Sequence, residues 1–338
     1  ELLIKTAFFI FFFITFFPTS EPFPPPLQEI GVENLSEVNP INQFIKIAVF
    51  VLTLIASIYK FDEIINFMKR EKFLALFLLW ALVSILWSNF PFVTFKRWFQ
   101  LFLIYFLMVT FLSYFNENEV LKILKLIIYP YLTLTLIVVL IIPEAKDPAF
   151  NTWRGFAATK NNLGQIGVIS SVLTLIFYSY ERVGVKKNIA LLFFILSVII
   201  VIGTLSSTSY TALFIFLSGT LLYYIKTKIF GRLGVTNSLF VYTFATGILL
   251  LIVVMLFVPD FTDTIQGIFG KSETFYDRGK LWKVMLLHIS QHPIIGCGFQ
   301  AFWTLENPQL LLLYQTFVWL PNQAHNGYLD LLNELGIV

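Results

Sequence analysis

The sequence is poor in charged residues, cysteine and histidine, and each shortage narrows what the chain can be. Only 13% of its 338 residues are charged and 57% are hydrophobic, whereas about a quarter of a soluble domain is charged. The single cysteine, Cys297, excludes an internal disulfide and a cysteine-based metal cluster. The three histidines have no clustered acidic neighbours, so neither a metal site nor a cofactor is predicted. The net charge of +3 is too small to indicate a nucleic-acid partner.

Long apolar runs account for the hydrophobic excess. A bilayer-spanning helix needs about 20 mostly apolar residues, and the runs AFFIFFFITFF and LTLTLIVVLII are typical of such helices. The pattern predicts nine spans, near residues 2–17, 41–59, 73–87, 97–115, 122–142, 163–180, 188–204, 209–225 and 238–258. A tenth span begins near residue 325, and we expect the sequence to be truncated at both ends.

Three connections are long, namely 18–40, 143–162 and 259–324, and the basic residues indicate which side they occupy. The short loops KFDEIINFMKREK, ERVGVKK and KTKIFGR are rich in lysine and arginine, which places them and the N-terminus in the cytoplasm. The three long loops then lie outside the cytoplasmic membrane.

The predicted fold class is therefore an all-α integral membrane protein, a polytopic helix bundle of about ten spans. Residues 1–258 form a transmembrane bundle of nine spans with a cytoplasmic N-terminus. Residues 259–324 form a long extracytoplasmic loop carrying amphipathic helices, and residues 325–338 begin a further transmembrane helix. More helices are expected beyond the C-terminal end.

Several cationic residues lie in the predicted outer loops, although lysine and arginine are usually enriched in the cytoplasmic loops of membrane proteins. Arg154 and Lys160 lie in NTWRGFAATKNNLGQIG, Arg278 lies in YDRGKLWKVMLLHISQHPIIGCGFQAFW, and His325 lies in PNQAHNGYLDLLNELG. In each segment, polar residues and glycines adjoin apolar helix. Irregular backbone at membrane depth is tolerated where protein or a wet cavity covers it, so the three segments predict a shared cavity at the outer face.

These stretches resemble the bacterial O-antigen ligase and polymerase superfamily. WRGFAATKNNLGQIG is similar to the family's arginine–glycine stretch, DRGKLWKVMLLHISQHPIIGCGFQAFW to its Arg, Trp, His-Pro and Gly-x-Gly series, and AHNGYLDLLNELGIV to its Ala-His-Asn signature. ILWSNFPFVTFKRW agrees as well, so the family-like region covers about residues 75–338. The stretch LSSTSYTAL lacks the cation that many members have there, which weakens any role for a cation at that place.

The resemblance implies a membrane glycosyltransferase at the periplasmic or extracellular face of the bacterial cytoplasmic membrane. It would move a glycan from undecaprenyl diphosphate to a sugar hydroxyl, either of lipid A core (a ligase) or of a growing polysaccharide (a polymerase). Membrane lipids are its other partners. A polysaccharide transporter or flippase is the alternative, although the internal repeats typical of transporters are absent from the sequence.

Arginine suits the diphosphate because its planar fork pairs two phosphate oxygens and stays charged. Arg278 is assigned to catalysis and diphosphate binding, and Arg154 and Lys160 to diphosphate binding. Asp277 is expected to cap a helix ending near Gln291, which puts Arg278 in the anion-attracting first turn. The structural alternatives are contact with lipid headgroups for Arg278 and Lys160, and a salt bridge from Arg154 to Glu144 or Asp147.

His325 is assigned as the catalytic base because histidine titrates near neutral pH and can accept the proton of an attacking hydroxyl. Asp330 or Glu334 is its expected partner. The alternative is a helix-end residue that only satisfies backbone amides. His288 and His292 are interpreted as structural residues.

The predicted orientation can be tested with single cysteines in a Cys297→Ser background. We expect cysteines at Ser36 and Ala149 to react with an impermeant maleimide on intact cells, and cysteines at Asn66 and Thr227 to react only after lysis. Labelling of the second pair on intact cells would reverse the topology.

Overall fold

The computed structural model describes residues 1–17, 40–147, 151–228, 272–317 and 321–337, and these are helical apart from short connections. The α-helices are α1 (Leu2–Phe16), α2 (Pro40–Ile58), α3 (Phe61–Arg70), α4 (Lys72–Val83), α5 (Pro91–Tyr114), α6 (Glu117–Ile141), α7 (Lys160–Tyr180), α8 (Val185–Gly203), α9 (Ser207–Lys228), α10 (Ser272–Gln291), α11 (Pro308–Thr316) and α12 (Gly327–Leu335). Two 3₁₀ turns occupy Ser84–Leu86 and Pro143–Ala145.

Six of these helices are long and apolar enough to cross a membrane: α2, α5, α6, α7, α8 and α9. Two more, α1 and the segment Lys72–Leu86, are apolar but shorter. The prediction of a helical, multi-pass membrane protein is confirmed. The predicted ninth span, 238–258, lies outside the described residues, and the total of about ten spans stays a prediction.

One helix was not predicted. The segment expected to be a cytoplasmic loop contains α3, whose first turn carries Asp62 and Glu63 and whose last turn carries Lys69 and Arg70. Both charge pairs oppose the helix dipole and stabilise a short helix. Its apolar side buries Ile64 in a cluster with Leu78, Tyr105 and Val109. The segment was predicted to be a loop because it is strongly polar, and helices were predicted only from apolar runs long enough to span a membrane.

The described chain divides into two compact units. The first comprises Glu1–Thr135, Phe156–Ala158 and Asp277–Val338, and the second comprises Leu136–Gly155 and Thr159–Tyr276. In the first unit, aromatic packing joins α1 to α5, where the rings of Phe8 and Phe111 stack at 3.9 Å. A separate cluster around Leu281 and Met285 of α10 supports the segments that follow that helix.

Small residues bring the helices of the second unit together. A Cβ atom on Gly164 would lie 2.1 Å from Ser209 Oγ, and one on Gly167 would lie 2.7 Å from Val201 Cγ2. Ser171 and Ser197 share a hydrogen bond of 2.8 Å between α7 and α8. Close backbone approach with buried hydroxyl bonds is the usual way in which membrane helices associate.

Candidate functional site

The Gly-x-Gly loop after α10 is bonded to the C-terminal end of α12. The Cys297 N–H donates to Asn333 O and the Gly298 N–H donates to Glu334 O, both at 2.9 Å. The last carbonyls of a helix have no partner within it, and here the glycine loop supplies their donors. A Cβ atom on Gly296 would lie 2.4 Å from the Glu334 carbonyl carbon, so only glycine allows this approach.

Gly298 is fixed by a second requirement. Its φ is +105°, and a Cβ atom there would lie 2.5 Å from Ser88 Oγ, at the turn before α5. The next N–H, of Phe299, donates to Ser84 Oγ at 3.0 Å. The loop is therefore held between the α4–α5 turn and α12. The loop, the turn and α12 are distant from one another in sequence.

Arg97 ties α5 to the same loop. Its guanidinium donates to the carbonyl oxygen of Gln300 and, at 2.7 Å, to that of Trp303. Arg97 was missed as a site residue, although it belongs to the family-like stretch ILWSNFPFVTFKRW. The signal that could have found it is an ionisable residue in a span, which is costly unless it has a local purpose.

Asp330 organises the segment that carries the histidine. Its Oδ1 accepts the Trp303 indole N–H at 2.8 Å and the Ala324 N–H at 3.0 Å. The Ala324 carbonyl accepts the Trp282 indole N–H at 2.8 Å. Asn326 caps α12 by accepting the Tyr328 N–H at 3.1 Å. The backbone on both sides of His325 is thus fixed.

His325 itself is half-buried and has a φ of +52°. Few non-glycine residues adopt this left-handed conformation, and such residues gather at functional sites. Of the two expected partners, Asp330 bonds the neighbouring Ala324 backbone and Trp303, and Glu334 lies further along α12. The N-cap of α12 is Asn326, which agrees with the alternative that His325 or Asn326 lies at a helix end and satisfies its free amides.

A cavity of about 750 Å³ opens in the first unit beside this segment. That volume falls within the range of small-molecule sites, roughly 300–1,000 Å³. Its charged lining residues are Arg97, Asp330 and Glu334. Amide and aromatic residues form much of the remaining wall: Gln300, Asn322, Gln323, Phe299, Trp303 and Tyr328.

The predicted position of Arg278 requires a correction. Helix α10 begins at Ser272 rather than after Asp277, so Asp277 lies inside the helix and Arg278 is its seventh residue. The unpaired N–H groups of the first turn are therefore not at Arg278, and the helix-dipole argument for anion binding there is wrong. The predicted end at Gln291, before His292–Pro293, is confirmed.

Arg154 and Lys160 are described in the second unit. Arg154 is buried, and its Nε and Nη2 donate to the Glu144 carbonyl oxygen at 3.1 and 2.9 Å. Those two bonds give this arginine a structural role, although they are made to the backbone of Glu144 rather than to its carboxylate as the salt-bridge alternative supposed. Lys160 is the first residue of α7, whose cap Thr159 accepts the Asn162 N–H. Asn161 accepts a hydrogen bond of 2.9 Å from Ser206 of the serine-rich stretch.

His288 and Cys297 are packed into the first unit. His288 is buried and its Nδ1 bonds Asn333 Oδ1, a contact between α10 and α12 that agrees with its interpretation as a structural residue. Burial lowers the pKa of His288, against the opposing effect of that hydrogen bond. Burial also raises the pKa of the Cys297 thiol to about 12, so it is not a thiolate nucleophile at neutral pH. Across the described ranges, no group of histidine, cysteine and acidic residues could hold a metal ion.

Comparisons with known proteins match part of the chain. The sequence profile of the O-antigen ligase family matches residues 192–338. Over 80 residues the chain is 29% identical to the exopolysaccharide production protein ExoQ of Rhizobium meliloti (strain 1021), covering 22% of this chain and 18% of that protein. No solved structure matches the chain.

The resemblance to the O-antigen ligase and polysaccharide polymerase superfamily is thereby confirmed, and residues 192–338 include the glycine loop, the Ala-His-Asn segment and α12. The similarity of about residues 75–191, which include Arg97, stays a prediction.

The role of Asp330 as the organiser of this segment can be tested by Asp330→Ala. Hydrogen bonds to a charged group contribute about 1.5–3 kcal/mol each, so we expect a lower melting temperature for the detergent-purified protein. Glu306→Ala, which removes an exposed carboxylate from the same unit, is the matched control. Equal melting temperatures for the two variants would contradict the assignment.

Proposed function

We propose that the protein is a membrane glycosyltransferase that moves a glycan from undecaprenyl diphosphate to a sugar hydroxyl at the outer face of the cytoplasmic membrane. The observation that supports this most is the cavity of the first unit. Apart from Arg97, its wall residues follow the glycine loop or flank His325 in the sequence, and they lie in the part of the chain that matches the O-antigen ligase family.

The proposed reaction is a direct displacement. The acceptor oxygen forms a bond to the anomeric carbon, the bond from that carbon to the diphosphate oxygen breaks, and the electron pair leaves with the diphosphate. His325 takes the acceptor's proton. No enzyme nucleophile takes part, so the anomeric configuration inverts, and NMR of the new linkage would show retention if this step were wrong.

The leaving diphosphate needs cationic partners. Arg278 remains the proposed main contact because of its fork of donors, now without help from a helix N-terminus. Lys160 is proposed as a second contact. Arg154 is also proposed, but the Glu144 carbonyl already engages two of its donors, so it contributes chiefly by shaping the loop.

The ligase and polymerase roles share this chemistry and differ in the acceptor. The similarity to an exopolysaccharide production protein favours extension of a polysaccharide over transfer to lipid A core. A second polymerase gene beside this one would reverse that preference.

Two substitutions separate the proposed roles. His325→Ala should lower turnover by roughly 100- to 10,000-fold, the usual contribution of a general base, while donor affinity stays unchanged. Arg278→Lys keeps the charge and loses the fork, so donor affinity should fall while residual turnover remains. Both are measured on purified full-length protein with a lipid-linked glycan donor.

The matched controls are His292→Ala and Arg182→Lys, two exposed residues outside the proposed site. Turnover of His325→Ala within about threefold of wild type, against the factor expected for a base, would remove His325 from the mechanism.

If arginine and lysine side chains, and not a metal ion, stabilise the leaving diphosphate, excess EDTA should leave the activity unchanged. The sequence has no Asp-x-Asp pair, the arrangement with which many glycosyltransferases hold a metal ion. Activity lost in EDTA and restored by magnesium or manganese would show that a metal stabilises the diphosphate.

A further inference from the structure

The cavity of the first unit contains groups that the proposed reaction has not used. Two carboxyl groups, of Asp330 and Glu334, face it from the same helix, four residues apart. A single guanidinium, of Arg97, faces it from α5. Residues four apart lie on one face of a helix, so α12 presents an acidic face to the cavity.

Glu334 is the more unusual of the two acids. Only 4% of its surface is exposed. Its carboxyl group interacts with the backbone N–H of Gln300, and it lies close enough to Arg97 and Asp330 to feel both charges. The two ion pairs found among the described residues are elsewhere, at Lys5–Glu1 and Lys60–Glu63. Burying a carboxyl group is costly unless it is fully satisfied, and this one retains acceptor capacity beside an open cavity.

The arginine in the cavity wall already has hydrogen-bond partners. Arg97 donates to the carbonyl oxygens of Gln300 and Trp303, which keeps its guanidinium against the wall. Gln300 has a φ of +52°. Its carbonyl oxygen accepts from Arg97, and its backbone N–H interacts with the Glu334 carboxyl group. An anionic ligand would therefore meet the Asp330 carboxylate and a guanidinium whose two terminal nitrogens already donate to backbone carbonyls.

The rest of the wall suits a polyhydroxylated ring. Carboxylates accept hydrogen bonds from hydroxyl groups, and side-chain amides both accept from them and donate to them. The Trp303 indole is immobilised by its bond to Asp330, and the exposed Tyr328 ring stands at the cavity edge. Aromatic faces pack against the C–H faces of sugar rings, so the polar and apolar parts of the wall match both sides of a sugar.

We propose that this cavity is the acceptor subsite, that it takes an uncharged sugar residue, and that the Glu334 carboxyl group hydrogen-bonds a hydroxyl of that sugar. The proposal rests on the proposed function and names the acceptor class for it. Glu334 then orients the acceptor, while His325 takes the proton. The Asp330 carboxylate in the wall disfavours uronic acids and other anionic sugars.

The test is saturation-transfer NMR on the full-length protein in lipid nanodiscs, without donor. The probes are methyl β-D-glucopyranoside and the matching glucuronide. The neutral glycoside should bind, and the glucuronide should bind about tenfold more weakly, a difference of about 1.4 kcal/mol. A glucuronide that binds as well as the glucoside would overturn the assignment to an uncharged sugar.

Glu334→Gln should weaken glucoside binding by about tenfold, because the amide keeps the size of the side chain but replaces one acceptor oxygen with an N–H donor. Glu306→Gln is the matched control, since Glu306 is exposed, also acts on Arg97 through charge, and undergoes the same substitution. Tyr328→Ala removes an exposed ring that folding does not need, and it should weaken binding as well. Wild-type affinity in both Glu334→Gln and Tyr328→Ala would overturn the subsite.

The same preparations are assayed for glycan transfer, which separates the two proposals. One outcome is glycan transfer together with a glucoside affinity that is unchanged by Glu334→Gln and Tyr328→Ala. That outcome would support the proposed function and overturn the subsite. Glucoside binding that depends on Glu334, without transfer from any lipid-linked donor, would support the sugar site and overturn the proposed function.

Discussion

Two backbone hydrogen bonds hold the first unit's site together: those from Cys297 and Gly298 to the last carbonyls of α12. They join a loop that follows α10 to a helix about 35 residues further along the sequence. Because the loop also contacts Ser84, Ser88 and Arg97, the same contact sets the position of α12 against the α4–α5 region. Without the two glycines the backbones could not approach, and the cavity wall would have no fixed shape.

This arrangement leaves the backbone of the loop with internal partners. Buried N–H groups need acceptors, and the loop's N–H groups find them at Asn333, Glu334 and Ser84. Rigid walls hold reacting groups in place, which supplies much of catalysis by positioning. Asp330 extends the same rigidity to the backbone around His325, since it bonds Trp303 and Ala324 together.

The sequence predicted the long helices well because a span needs a length of apolar residues that nothing else in the chain imitates. It predicted the Ala-His-Asn and Gly-x-Gly segments as site elements. The contact between the glycine loop and α12 could not be predicted, because backbone hydrogen bonds form it and side-chain types do not specify them. Arg97 was missed because a cation at the end of a span resembles a lipid-facing one. The start of α10 was misplaced because Asp277 is a favourable N-cap residue type, whereas the helix begins at Ser272.

The central claim is that the glycan acceptor occupies the cavity beside His325. The most direct measurement is an experimental structure of the full-length protein with an acceptor oligosaccharide and a lipid-linked donor analogue bound. The account predicts sugar density against Trp303 and Glu334, with the reacting hydroxyl within hydrogen-bonding distance of His325. Sugar density elsewhere, with this cavity empty, would contradict it.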